Sequence, residues 1–161
     1  MSAEQRLEAL GITLPPAPPS VAAYVPTVRV GDLLFTAGQI AAGPDGLIAT
    51  GKVGADVDLE TATACARQCA LNVLAQLREA LGTLDRVRRI VKITVFVASA
   101  PSFTEQHLVA NGASQLLTDV FGDAGRHARS AVGAPALPLN SPVEVDAIAE
   151  VTDLAGDSSG S

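Results

Sequence analysis

The segment Arg88-Arg-Ile-Val-Lys-Ile-Thr-Val-Phe-Val-Ala-Ser99 constrains this chain more than any other stretch. Its side chains alternate with a period of two, so that Val91, Ile93, Val95 and Val97 make one wholly aliphatic face while Ile90, Lys92, Thr94 and Phe96 make a mixed one. Successive residues of a strand point to opposite sides, and an aliphatic strand face needs helices packed over it. The mixed face is too apolar to be left in water, which predicts that another subunit covers it.

Helices suited to the aliphatic face lie on either side. After Asp58, residues Leu59, Ala62, Ala66, Cys69, Val73, Leu77 and Leu81 recur at three- and four-residue steps until Gly82 stops the pattern. Phe103 to Phe121 reads as a second helix, with Leu108, Leu116, Leu117 and Val120 among its apolar positions and Gly122-Asp-Ala-Gly125 at its end. Two apolar runs around Gly31-Asp32, within Val28–Thr36, make a hairpin signal. Residues 41–54 read as a loop with a turn at Gly43-Pro44-Asp45-Gly46.

Near the C-terminus the parity returns. Val143, Val145, Ala147 and Ala149 point one way, and Glu144, Asp146, Ile148 and Glu150 the other; Arg129 shares its face with the small residues Ala131 and Gly133. The order β-β-α-β-α-β-β predicts an α+β domain over residues 22–151, with two helices on one face of a mixed sheet. Ahead of it, residues 1–21 contain a capping box (Ser2 with Gln5), a glycine stop at Gly11 and a strap carrying Pro15, Pro16, Pro18 and Pro19, which cannot continue a helix. Residues 152–161 have nothing to bury and are expected to fray.

Composition narrows the function. Eleven basic against 17 acidic residues leave a net charge of −6, which opposes binding to phosphate backbones. No apolar run approaches the ~20 residues that span a bilayer, and no basic segment with an apolar core opens the chain. Cys65 and Cys69 fall on one helical face, and with His107 and His127 far away in sequence they read as buried thiols rather than metal ligands. A soluble, cytoplasmic protein is expected. Both histidines read as surface residues, Lys92 as an interface or solvated lysine, and Ser130 has no placed histidine with which to form a triad.

The residues with the clearest chemical use are Arg129 and Glu144, at the starts of two short strands joined by the proline-bearing bend Pro135-Ala-Leu-Pro138. A guanidinium offers a carboxylate two parallel donors, and a nearby carboxylate can orient or deprotonate a water. The wording around them, Ala128-Arg-Ser-Ala-Val132, then Leu137-Pro138, then Val143-Glu-Val-Asp-Ala-Ile-Ala149, resembles the C-terminal signature of the Rid family (reactive intermediate deaminases, also called YjgF and often labelled endoribonuclease L-PSP). Tyr24, the block Leu34-Phe-Thr-Ala-Gly-Gln-Ile40 and Val91–Val97 have similar wording there, so the likeness covers roughly residues 22–151. The shorter form of that pattern has no segment like residues 1–21.

The resemblance implies a chorismate-mutase-like fold and a homotrimer with ligand clefts between subunits. It implies cofactor-free hydrolysis of 2-imino and 2-enamino acids, of the 2-aminoacrylate type, to 2-keto acids and ammonia. Carried over residue by residue, Arg129 would anchor the substrate carboxylate, Glu144 would place or deprotonate the water and Tyr24 would line or close the cleft. The backbone of Ala37 and Gly38 would bond the substrate, and Asn111 would lie near the cleft of the adjoining subunit. Many active members carry serine at the position of Ala37 and cysteine at that of Ala131. Those departures keep open a protein that binds small carboxylates without turnover. The ribonuclease or translation-inhibitor reading ranks third because of the acidic charge.

Overall fold

The computed structural model of the chain describes residues 1–20 and 22–153; the C-terminal tail expected to fray lies, but for its first two residues, outside them. The N-terminal helix α1 (Ala3–Ala9) is set by its capping box: the Ser2 hydroxyl accepts from the Gln5 N–H, and the Gln5 side chain accepts in return from the Ser2 N–H. It turns Leu7 into the core, and Leu14 follows it in. The long helix α2 (Leu59–Leu81) starts where the Asp58 carboxylate accepts from the Thr61 N–H at 2.8 Å and ends at Gly82, whose φ of +83° suits glycine.

The third helix, α3 (Gln106–Phe121), starts three residues later than the apolar pattern indicates. The Gln106 side chain is drawn back to the Phe103 carbonyl and the Ser99 hydroxyl instead of continuing a helical turn. It packs against α2 so closely that a Cβ at Gly112 would overlap the Thr63 carbonyl.

The strands are β1 (Thr27–Val30), β2 (Leu33–Thr36), β3 (Gln39–Ile40), β4 (Ala42–Gly43), β5 (Gly46–Leu47), β6 (Val87–Ala98), β7 (Ala128–Ala134) and β8 (Val143–Val151). The main sheet runs β1-β2-β8-β6-β7, with β3 also on β8; among the described strand pairs β6–β7 is the parallel one, bridged by α3. β4 and β5 form a small hairpin within the segment expected to be a loop. The helices α2 and α3 cover one face, burying Ile93, Val95 and Val97 of β6 and Val143, Val145, Ala147 and Ala149 of β8. This is the α+β arrangement expected, preceded by the short N-terminal helix that the Ser2–Gln5 capping box and the Gly11 stop predict.

One detail departs from the alternation. Ile90 is fully buried while Val91 is only half-buried, because the β6–β8 register slips between Ile90 and Lys92. One extra residue on one strand reverses the parity beyond it, so Ile90 joins the aliphatic face and Val91 does not. The opposite face of the sheet carries Val28, Val30, Phe35 and Val132, all exposed in the single chain. Among the described residues no helix is long and apolar enough to cross a membrane.

Candidate functional site

Glu144, the second residue of β8, is on the side turned away from the helices; its neighbours across the sheet are Phe96 on β6 and, through it, Val132 on β7. Beside it, on the other flank, β3 forms a sheet edge, with Ile40 opposite Glu144. The chain steps from β2 to β3 through Ala37 and Gly38, and there the Glu144 carboxyl lies against the backbone. A Cβ on Gly38 would meet Oε1 at 2.5 Å and the carboxyl carbon at 2.9 Å, so this approach requires glycine.

A cavity of about 420 Å³ opens over this point. Glu144 and Gly38 lie in it with Tyr24, and the strap residues Pro18 and Pro19 form one wall. Burial pushes the Glu144 carboxyl above its ordinary pKa, and the charge of Asp146 two residues on adds to the rise. No described residue donates a hydrogen bond to it. It is a half-buried acid facing open space, with burial favouring its protonated form.

The amides nearby are committed to the framework. Asn72 Nδ2 donates to the carbonyls of Ile40 (3.1 Å) and Ala42 (2.9 Å), and Gln76 Nε2 donates to the Pro18 carbonyl (2.6 Å). Gln76 Nε2 also reaches Gln39 Oε1 at 3.5 Å. The Ala37 N–H, expected to face substrate, instead donates to the Pro26 carbonyl at 2.8 Å. Of the Ala37-Gly38 pair, Gly38 is the one that lies in the cavity.

Arg129 lies elsewhere. It pairs in register with Ile93, so its side chain rises on the helix-covered face, opposite to that of Glu144. Its guanidinium docks on α3: Nη1 donates to Asn111 Oδ1 at 2.9 Å and to the Ser114 hydroxyl at 3.1 Å, and Nη2 donates to the His107 carbonyl at 3.0 Å. All three partners are neutral. Among the described residues the carboxylates that form ion pairs do so with Arg29, Arg78, Arg86 and Arg88, not with Arg129. A guanidinium oriented by neutral acceptors keeps its charge for an incoming anion. Ala131 sits two residues on, half-buried against the core, and the space beside Gly133 is taken up by Gln106 Nε2 and Ser99 Oγ.

His127 is half-buried here rather than a surface residue. Its Nδ1 lies 2.6 Å from the Gly125 carbonyl, which can only accept, so Nδ1 carries the proton in the neutral ring. Nε2, 2.9 Å from the Ser114 hydroxyl, is then an acceptor; the hydroxyl donates to it and receives the Arg129 N–H on its own oxygen. Burial holds the His127 pKa below its ordinary value; the Gly125 contact opposes this and the Arg129 charge reinforces it. The parity of residues 127 and 129 places both on one face, which is the sequence signal for this link. The role of Ser114 has no comparable local sign.

The structure thus gathers Tyr24, Gly38 and Glu144 in one cavity, and Arg129 with Asn111 on the other side of the sheet. It does not bring the two groups together within one chain. Ser130, opposite Thr94, is on the far face from His127, and both cysteines are buried free thiols, Cys65 pushed up to about 11 by burial and Cys69 also held well above the ordinary thiol range by burial.

The family model described as "YjgF/chorismate_mutase-like, putative endoribonuclease" matches residues 4–151. TCP17 of Trypanosoma cruzi is 49% identical over 148 residues, covering 91% of this chain and 92% of its own. The crystal structure of Atu1372 from Agrobacterium tumefaciens, a protein of unknown function, superposes with a TM-score of 0.87 at 50% identity over 93% of this chain and 92% of that one. Escherichia coli TdcF, solved with bound serine, does so at 0.62 and 28% identity over 84% and 94%. A family match that begins in α1 and ends on the last residue of β8, together with relatives of this extent and fold, makes the chain a member of the YjgF family, the Rid family that its sequence resembles.

Proposed function

We propose that the protein hydrolyses reactive 2-imino and 2-enamino acids to 2-keto acids and ammonia, without a cofactor, in clefts shared between the subunits of a homotrimer. The observation that carries this reading is the Glu144 carboxyl, half-buried in a cavity, raised in pKa by burial and hydrogen-bonded by no described residue. An imine carbon is already electrophilic. It needs its acid end held, one water placed and protons relayed, and a carboxylate of raised pKa serves the last two needs.

Arg129 supplies the anchor. Since it faces away from Glu144 in its own chain, the pair can serve one substrate only across an interface, with Arg129 of one subunit beside the cavity of the next. The exposed Val28, Val30, Phe35 and Val132 on the uncovered sheet face give such an interface its apolar surface. The serine bound to TdcF, a small amino acid with a carboxylate, fits the same anchor-and-cavity plan. The family description also names endoribonuclease, but a net charge of −6 leaves few cations to offset RNA phosphates.

Binding without turnover is the second reading. Its support is that Ala37 offers no hydroxyl, Ala131 no thiol, and the Ala37 N–H is spent on Pro26. The two readings separate in one assay. Imino acids generated in situ by an amino-acid oxidase are followed for keto-acid and ammonia release; acceleration of imine decay is expected, and its absence with keto acids still bound would favour the second reading. Light scattering at micromolar concentration should give about three times the 16.4 kDa of the chain. A monomer there would remove the shared cleft.

Gly38→Ala is a finer probe. The atom a new Cβ would strike is the far end of the flexible Glu144 side chain, and the Gly38 φ lies outside the left-handed region, so the fold should hold with a melting temperature near that of the wild type. The carboxyl must swing away, and hydrolysis is expected to fall about 10- to 100-fold, at the lower end of what displacing a general base costs. An unchanged kcat/KM would mean that the position of this carboxyl does not matter.

A further inference from the structure

We infer that the N-terminal strap and Leu139 build a pocket for a large apolar side chain, so that the substrates are 2-imino acids of the branched-chain or aromatic kind rather than the smallest ones; this rests on the imine-hydrolysis reading above. The strap is not a loose leader. Glu4 of α1 pairs with Arg78 at 2.6 Å and accepts the Leu84 N–H at 2.9 Å. Leu7 and Leu14 are buried at 2% and 8% exposure, and Gln76, itself 2% exposed, fastens the Pro18 carbonyl. Between these fixings Pro18, Pro19 and Ser20 are laid along the cavity that holds Glu144. Prolines present ring carbons and no N–H, so this wall is apolar and stiff.

The opposite lip is made by Pro138 and Leu139. Leu139 has φ +55° and ψ +21°, and Asn140 next to it has φ +62°, a costly backbone for residues that are not glycine. The turn is held there from outside: the Asn140 carbonyl accepts the Gly51 N–H at 3.0 Å, and the fully buried Ser141 hydroxyl accepts from Ala41 and donates to Val143. The result is a leucine 76% exposed at the mouth of the cavity. Strained turns that display an apolar side chain to solvent beside a site are consistent with a ligand contact.

Size and polarity agree. The cavity of about 420 Å³ falls in the range of ~300–1,000 Å³ typical of small-molecule sites, and at ~30 Å³ per water it has room for roughly a dozen. A two- or three-carbon acid would leave most of it wet. The neighbouring Asn72 and Gln76 amide nitrogens are already bonded to backbone carbonyls, which leaves the Glu144 carboxyl and the Tyr24 phenol as the ionisable groups and carbon over most of the remainder. An acidic side chain would find no cation among the described lining residues and would face the Glu144 carboxyl, whereas an apolar one would displace water.

The test compares imines generated from alanine, leucine, phenylalanine and glutamate, with wild-type protein, Gln76→Leu and Leu139→Ala. For the wild type, kcat/KM should be at least ten-fold higher for the leucine- and phenylalanine-derived imines than for the alanine-derived one, and lowest for glutamate. Gln76→Leu frees the strap and Leu139→Ala removes the lip, so each should cut the leucine-to-alanine ratio about ten-fold. A general loss of structure would lower all substrates together and leave the ratio unchanged, which would overturn the inference, as would a wild-type preference for the alanine imine. Dissociation of Leu139→Ala into monomers would assign that side chain to the interface and overturn it as well. If no imine is turned over by the wild type, the hydrolase reading fails, and calorimetric titration with pyruvate, 4-methyl-2-oxopentanoate and phenylpyruvate decides the pocket by itself. Tighter binding of the larger acids, lost in both variants, supports it; equal or undetectable binding overturns it.

Discussion

Glu144→Gln is expected to retain 2-keto acid binding while imine hydrolysis falls by roughly 10²–10⁴-fold, the usual contribution of a positioned general base. The amide keeps the size of the side chain but cannot accept a proton from water. Two further outcomes separate this effect from damage to the fold. Burial raises the Glu144 pKa in the folded chain, so the ionised form costs stability above that raised value and none below the unfolded one. The variant should therefore be at least as stable as wild type at neutral pH, and equal or greater stability in urea would show it. For catalysis the active species is the carboxylate, lost as pH falls through the raised pKa. The acid limb of kcat/KM in the wild type should then lie above the ordinary carboxylate value of 4.5 and vanish in Glu144→Gln. An acid limb that survives the substitution would assign the titration to another group, with Asp146, also raised by burial, as the one to test next.

Arg129→Lys should be severely impaired although the charge is kept. The guanidinium satisfies Asn111, Ser114 and the His107 carbonyl on one side while presenting its charge outward; an ammonium cannot bond three acceptors in that plane and still offer a carboxylate two parallel donors. Losing a desolvated charged anchor costs about 2–5 kcal/mol, so kcat/KM should fall by about 30- to 5,000-fold with most of the loss in substrate binding. Because Arg129 and Glu144 lie on opposite faces of the sheet in one chain, complementation gives a sharper result. Arg129→Ala and Glu144→Gln proteins, each nearly inactive, should regain activity when unfolded and refolded together. In random mixed trimers about one cleft in four would pair an intact Arg129 with an intact Glu144. No recovery despite verified subunit exchange would mean that the two residues do not share a site, and the proposed cleft would be wrong.

Much of this molecule follows from short-range rules. The helix starts at Ser2 and Asp58 and the stop at Gly82 depend on hydrogen bonds within one turn, and the two faces of β8 follow from a period of two, so residues 143–151 reveal them alone. The wording around Arg129 and Glu144 pointed to the family for the same reason, because it lies in contiguous strands. Where the reading departed from the structure, distant partners decided. The extra residue at Val91 exists only in relation to the register of β8, and it moves Ile90 into the core. Whether Arg129 and Glu144 share a face depends on how the parallel β6–β7 pair and the antiparallel β6–β8 pair align; neither register is written in the strands themselves. The strap took its place through a bond between the Pro18 carbonyl and Gln76, 58 residues apart, and through Leu7 and Leu14 in the core. Local sequence could say that the prolines would be extended, since a pyrrolidine ring fixes φ. Only the tertiary structure could lay them over Glu144, because that position comes from packing between segments that meet after the chain has closed a long loop.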